Sequence, residues 1–117
     1  MNDIYKIPPQ ALNAEESILS ACIILPESLT ETIEILKPEH FYKSSHQTRF
    51  QTMIDLRSKK EPADLVTLAN KLKQKGKLEE IGGATYLARL TEEIPLAVNI
   101  SHYANIIREK AALRQVI

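Results

Sequence analysis

Every stretch of this chain longer than a turn spaces its apolar residues three and four apart, and that spacing commits it to helices. Ala14, Ile18, Ala21, Cys22 and Leu25 share one face of a first helix, with Asn13 and Glu16 as its expected capping pair. Leu29, Ile33 and Leu36 repeat the pattern over residues 27–36, until Pro38 ends it; Phe41 and Tyr42 follow in a turn and are expected to plug the core. Ser45 should cap a third helix, reaching about Lys60, that buries Phe50, Met53 and Ile54 and is closed by the Glu61-Pro62 step. Asp64 should cap a fourth, where Leu65, Leu68, Ala69 and Leu72 form a clean stripe, Lys71, Lys73 and Lys75 point outward, and Gly76 is the stop. Gly82 and Gly83 provide a sharp turn into a fifth helix over residues 84–93, ended by Pro95, and a last helix runs from Asn99. Before all of these, Pro8 and Pro9 impose an extended arm on residues 1–12.

Composition agrees with that reading. Glycine occurs at three positions only, which leaves little material for the tight turns of an all-β chain, and 44% hydrophobic content in 117 residues can fill one core. The expected fold is all-α: a compact bundle of about five to six helices over residues 13–97, with a long C-terminal helix over 98–117. A lone Cys22 cannot form an internal disulfide, no charged-then-apolar leader opens the chain, and no apolar run approaches the roughly 20 residues that span a bilayer. A cytoplasmic setting without membrane contact is the expectation.

Residue chemistry excludes more than it offers. Glycines at 76, 82 and 83 alone cannot build a phosphate-cradling loop or a dinucleotide fingerprint, so no cofactor is expected in this chain. His40, His46 and His102 lack metal-ligand spacing with one another or with Cys22, and Cys22 itself sits on an apolar stripe as a packed thiol. The pairs Glu15-Glu16, Glu79-Glu80 and Glu92-Glu93 diverge by about 100° around a helix and read as solvated faces rather than catalytic dyads. The expectation is a chain without catalytic activity.

Charge is unevenly distributed despite a net of zero. Residues 1–40 carry a net −5, residues 41–77 a net +6 and residues 78–117 a net −1, an asymmetry suited to protein contact between acidic and basic faces. The basic stretch from Arg57 to Lys77 could instead touch nucleic-acid phosphates, although its lysine-only helix lacks the side chains that read bases.

The last helix carries two apolar stripes. At about 100° per residue, Ile100, Ala104, Ile107 and Ala111 form one, while Ile106, Leu113 and Ile117 form another displaced by roughly 120°. A helix lying on a single core needs only the first, so the second is expected to meet another helix or another subunit. No Gly, Pro or Asn follows Asn105 to stop this helix, so the chain reads as a fragment whose helix continues.

Four segments in order, IPPQALNAEESILSACII, PEHFY with SSHQTRF, EPADLVTLANKLKQKGKLEEIGGATYL and IPLAVNISHYANIIREKAALRQVI, resemble the N-terminal domain of the DnaB-type replicative helicase over essentially the whole chain. The resemblance implies a non-catalytic collar domain of a ring-shaped hexamer, built as a trimer of dimers. In it, the helix from Asn99 begins a helical hairpin that pairs with a neighbouring subunit. It further implies docking of primase and contact with a helicase loader. ATP, Mg²⁺ and most DNA contact would belong to a motor domain absent from this chain. Ile106, Leu113 and Ile117 are then the expected subunit-interface residues, and Tyr86 and Arg108, an exposed aromatic and a cation near the hairpin root, the expected docking residues. Two alternatives share the helical reading: the helicase-binding domain of a primase, and a small basic-faced DNA-binding domain.

Overall fold

Caps and left-handed residues cut the chain into helices close to where the apolar spacing places them. The computed structural model describes residues 7–92 and 99–116, and the side chains of residues 90–92 are outside that description. Among the described residues there are six helices and no strand: α1 (Leu12–Ile24), α2 (Pro26–Ile35), α3 (Ser44–Ser58), α4 (Leu65–Gln74), α5 (Gly83–Glu92) and α6 (Ile100–Gln115). Single 3₁₀ turns at Pro38–His40 and Glu79–Ile81 punctuate the connections. None of the described helices is long and apolar enough to cross a membrane. The arm enters the description at Ile7, and Pro95 and Ile117 lie outside it.

α1 is the element around which the others assemble, packing against α2, α6, α3 and α5; α2 also packs on α6, and α4 joins α3 to α5. Ile18, Leu19, Phe41, Phe50, Met53, Leu56, Leu68, Leu72 and Leu87 are fully buried, each contributing roughly 1.5–3 kcal/mol of transfer free energy. Phe41 and Phe50 meet at 5.1 Å between centroids with their rings tilted by 45°. Phe41 therefore plugs the core as expected, but Tyr42 does not: it stays 38% exposed. Cys22 is a packed thiol, its Sγ 3.4 Å from Thr32 Oγ1, and burial pushes its pKa up to about 12.

Helix starts differ from the expected ones in an instructive way. Asp64 caps α4 as read from the sequence, accepting from the Thr67 N–H at 2.8 Å, and Asn99 caps α6 by accepting from the His102 N–H at 3.0 Å. Asn13 does not cap α1, because the helix begins two residues earlier than that cap would place it, at Leu12, whose N–H donates to Gln10 Oε1 at 3.3 Å. Ser45 does not cap α3 either. It is buried inside the first turn, and the backbone leading into that helix is held by a carboxylate from α1.

Three helical segments end in the same hydrogen-bond pattern. Gly76 closes α4 at φ 69°, with the Lys77 N–H donating to Leu72 O and the Gly76 N–H to Lys73 O. Gly82, at φ 106°, closes the Glu79–Ile81 turn the same way. α3 uses a lysine at this position: Lys60 adopts φ 61°, while the Glu61 N–H donates to Leu56 O. The Glu61-Pro62 step was expected to close α3, but the helix has already ended at Ser58.

Candidate subunit and partner interface

α6 is the element whose faces are unequally used. Its first stripe is buried as expected: Ile100, Ala104, Ile107 and Ala111 are at most 6% exposed and lie on the side packed against α1 and α2. Of the second stripe, Ile106 is half-buried while Leu113 is 43% exposed, and Val116 beyond it is 81% exposed. Ile117 lies outside the described residues. The end of α6 thus presents two aliphatic side chains to solvent.

One side chain fixes where that surface stands. Arg114, on the last turn of α6, donates from Nη1 to Pro9 O at 2.8 Å and from Nη2 to His40 O at 2.7 Å. Its guanidinium also lies 5.4 Å from the Tyr42 ring centroid. Arm, 3₁₀ turn and last helix therefore meet at one cation. This contact joins segments 105 and 74 residues apart, and no local pattern in the sequence announces it.

Arg108, the expected docking cation, is exposed on α6, with Nη2 donating to Asn105 Oδ1 at 2.6 Å one turn back. Tyr86 is half-buried on α5 rather than exposed. Its hydroxyl donates to Glu16 Oε1 at 3.3 Å, and the guanidinium of Arg49 lies 5.1 Å from its ring centroid. Burial raises the Tyr86 pKa, so the phenol stays protonated. A Cβ at Gly82 would come within 2.9 Å of Tyr86, so the glycine gives the ring its place. Both residues stand on helices that pack on α1, but α5 and α6 have no extensive packing with each other.

Beneath Tyr86 lies a polar cluster that includes Glu15, which the sequence reading placed on a solvated face. Glu15 is 1% exposed: Oε2 accepts from the Tyr42 N–H at 2.8 Å, and Oε1 is 2.6 Å from His46 Nδ1. α1 thereby caps the approach to α3. Desolvation by burial lowers the His46 pKa, and the hydrogen bond to Glu15 only partly opposes it. With His46 neutral, Nδ1–H donates to Glu15 and Nε2 remains a buried lone pair. Arg49 is fully buried, and among the described residues its guanidinium nitrogens make no hydrogen bond. Burial lowers its pKa, tempered by Tyr86 and then by Glu16 and Glu15.

The basic stretch is paired at its C-terminal end. Lys75 pairs with Asp55 at 3.2 Å and Lys77 with Glu80 at 3.4 Å, so two of its lysines already face carboxylates.

Similar proteins include replicative DNA helicases. The chain is 43% identical over its full length to the replicative DNA helicase DnaB of Geobacillus stearothermophilus, and 41% identical to the replicative DNA helicase DnaC of Bacillus subtilis (strain 168). It spans about a quarter of those relatives, 26% and 25% of their lengths. The crystal structure of the N-terminal domain of DnaB helicase from Mycobacterium tuberculosis superposes with a TM-score of 0.88 at 41% identity, covering 93% of this chain and 76% of that one. The profile of the DnaB-like helicase N terminal domain matches residues 7–109, and the chain belongs to that family.

Proposed function

We propose that this domain is the non-catalytic collar of a hexameric replicative DNA helicase. It joins subunits through α6 and docks primase during DNA replication in the cytoplasm. The observation that carries the reading is the aliphatic end of α6, where Leu113 is 43% and the following Val116 81% exposed while the helix's first stripe is already spent on the core. A partner helix laid along that face would remove the surface from water, and Ile106 would extend the contact inward. Arg114 supports the reading by holding α6 to the arm and the 3₁₀ turn, so that the face is offered at a fixed angle. Nucleotide hydrolysis, ATP and Mg²⁺ belong to a motor domain elsewhere in the parent helicase. This chain supplies geometry to that reaction and no reacting group.

Sedimentation of this chain beside a longer piece of the parent extending past Ile117 tests the assembly half. The longer piece should be the stronger dimer, and Leu113→Glu within it should weaken association. Monomers in both, or unchanged assembly by the variant, would overturn it. Primase docking is tested by titrating a primase helicase-binding domain onto this chain and its Arg108→Glu variant, which should bind more weakly with an unchanged melting temperature.

A further inference from the structure

A groove of about 600 Å³, lined by no residue of α6, opens where the α1–α2 corner faces the connection between α3 and α4. Ile24, Pro26, Pro62 and Ala63 line its sides, and the buried Cys22 and Leu29 contribute to its floor. Its apolar surface is open: Ile24 is 46% exposed, and Pro26 and Pro62 are exposed beside it. Together with Ala63 these side chains leave an apolar trough in contact with water, which a partner segment would cover.

Charge on the rim narrows what that partner is. Glu27, Glu61 and Asp64 line the groove against one cation, Arg57, and among the described residues none of these three carboxylates has an ion-pair partner. Glu27 lies in the first turn of α2 and Asp64 caps α4, positions where the helix dipole favours the ionised carboxylate. An acidic segment or a nucleic-acid phosphate would therefore meet like charge over an apolar floor, while a segment that presents lysine or arginine beside aliphatic side chains would satisfy both. We propose that this groove docks a short basic amphipathic segment of a partner protein, aliphatic side chains seated between Ile24 and Ala63 and basic side chains facing Glu27 and Glu61.

The test uses this chain and a dye-labelled leucine–lysine helix about four turns long, beside a twin in which every lysine is glutamate. The lysine peptide should bind, more weakly as salt rises, and should shift the methyl signals of Ile24, Leu29 and Ala63. Its affinity for the Glu27→Lys/Glu61→Lys variant should fall about tenfold or more, while the variant, whose two altered side chains are exposed, stays folded and melts only a few degrees lower because a cation now meets the α2 dipole. Absence of binding, equal binding of the glutamate twin, indifference to the charge reversal, or signals that move on α6 instead would each overturn the proposal. So would a bound fraction of peptide that falls as the chain concentration rises, which would make the occupant a second copy.

Discussion

Glu15 and His46, 31 residues apart in sequence, meet at 2.6 Å in the interior, and the same carboxylate holds the Tyr42 N–H at 2.8 Å. A side chain of one helix thereby organises the entry to another. Truncation by Glu15→Ala leaves a buried imidazole and a backbone donor without their acceptor, and should cost about 3 kcal/mol in urea unfolding. Glu15→Gln retains an acceptor oxygen and should cost less than half as much. Equal losses for the two variants would mean that packing, not hydrogen bonding, is what Glu15 supplies.

Stability should fall in mild acid. Burial holds the folded-state pKa of His46 below the ordinary 6.5, and the same cause lowers that of His40, whose Nδ1 accepts from the Lys37 N–H at 2.9 Å. The unfolded chain then binds more protons than the folded one once pH drops below that ordinary value, so stability is full above it and declines as pH falls, until the folded histidines also titrate. Chemical denaturation at a series of pH values reads this directly. His46→Gln should flatten the decline and leave only the share of His40.

These buried polar residues were legible in part. Glu15 precedes Ile18, Leu19 and Cys22 by three, four and seven positions, so the spacing that marks the apolar face of α1 also runs through a carboxylate. Arg49 stands in the same relation to Thr52, Met53 and Leu56 on α3. Reading charged residues as solvated by type hid a pattern that position disclosed. The helices themselves were legible because their stripes are long and their breakers sit between them. What local sequence could not carry was the identity of caps donated from elsewhere, such as Glu15 for α3, or a clasp such as Arg114, whose partners lie 105 and 74 residues away. Tyr86 was misjudged for the same reason, since the Arg49 that covers its ring comes from another helix.

Arg49 offers a test of what a buried cation is for. Fully buried and without a hydrogen bond among the described residues, it is stabilised by the Tyr86 ring and by nearby carboxylates. Arg49→Met preserves most of the packing and removes the desolvated charge, so its unfolding free energy should match the parent within about 1 kcal/mol or exceed it. Arg49→Ala, which leaves a cavity, should lose about 3 kcal/mol. A large loss in the methionine variant would show that the charge itself holds α1, α3 and α5 together.

Two left-handed positions should respond oppositely to small substitutions. Lys60→Gly relieves a side chain at φ 61° and should stabilise the domain by about 1 kcal/mol. Gly82→Ala adds a methyl at φ 106° that would stand 2.9 Å from Tyr86, and should destabilise it by about 2 kcal/mol. Thermal melts of both variants, measured side by side, separate backbone strain from general tolerance of turns.

Arg114→Gln should loosen α6 at its end without unfolding the domain. Amide hydrogen exchange should accelerate over residues 112–116 and the arm, while the amides of α3 keep their protection. Uniformly faster exchange would mean that the clasp stabilises the whole body rather than its edge.

The two acceptors of that clasp are main-chain carbonyls, at Pro9 and His40. Every amino acid carries one, so substitution at either residue leaves the acceptor in place. The dependence runs one way: the two acceptors survive a change of side chain at positions 9 and 40, while the clasp on the end of α6 is lost with the one guanidinium at position 114.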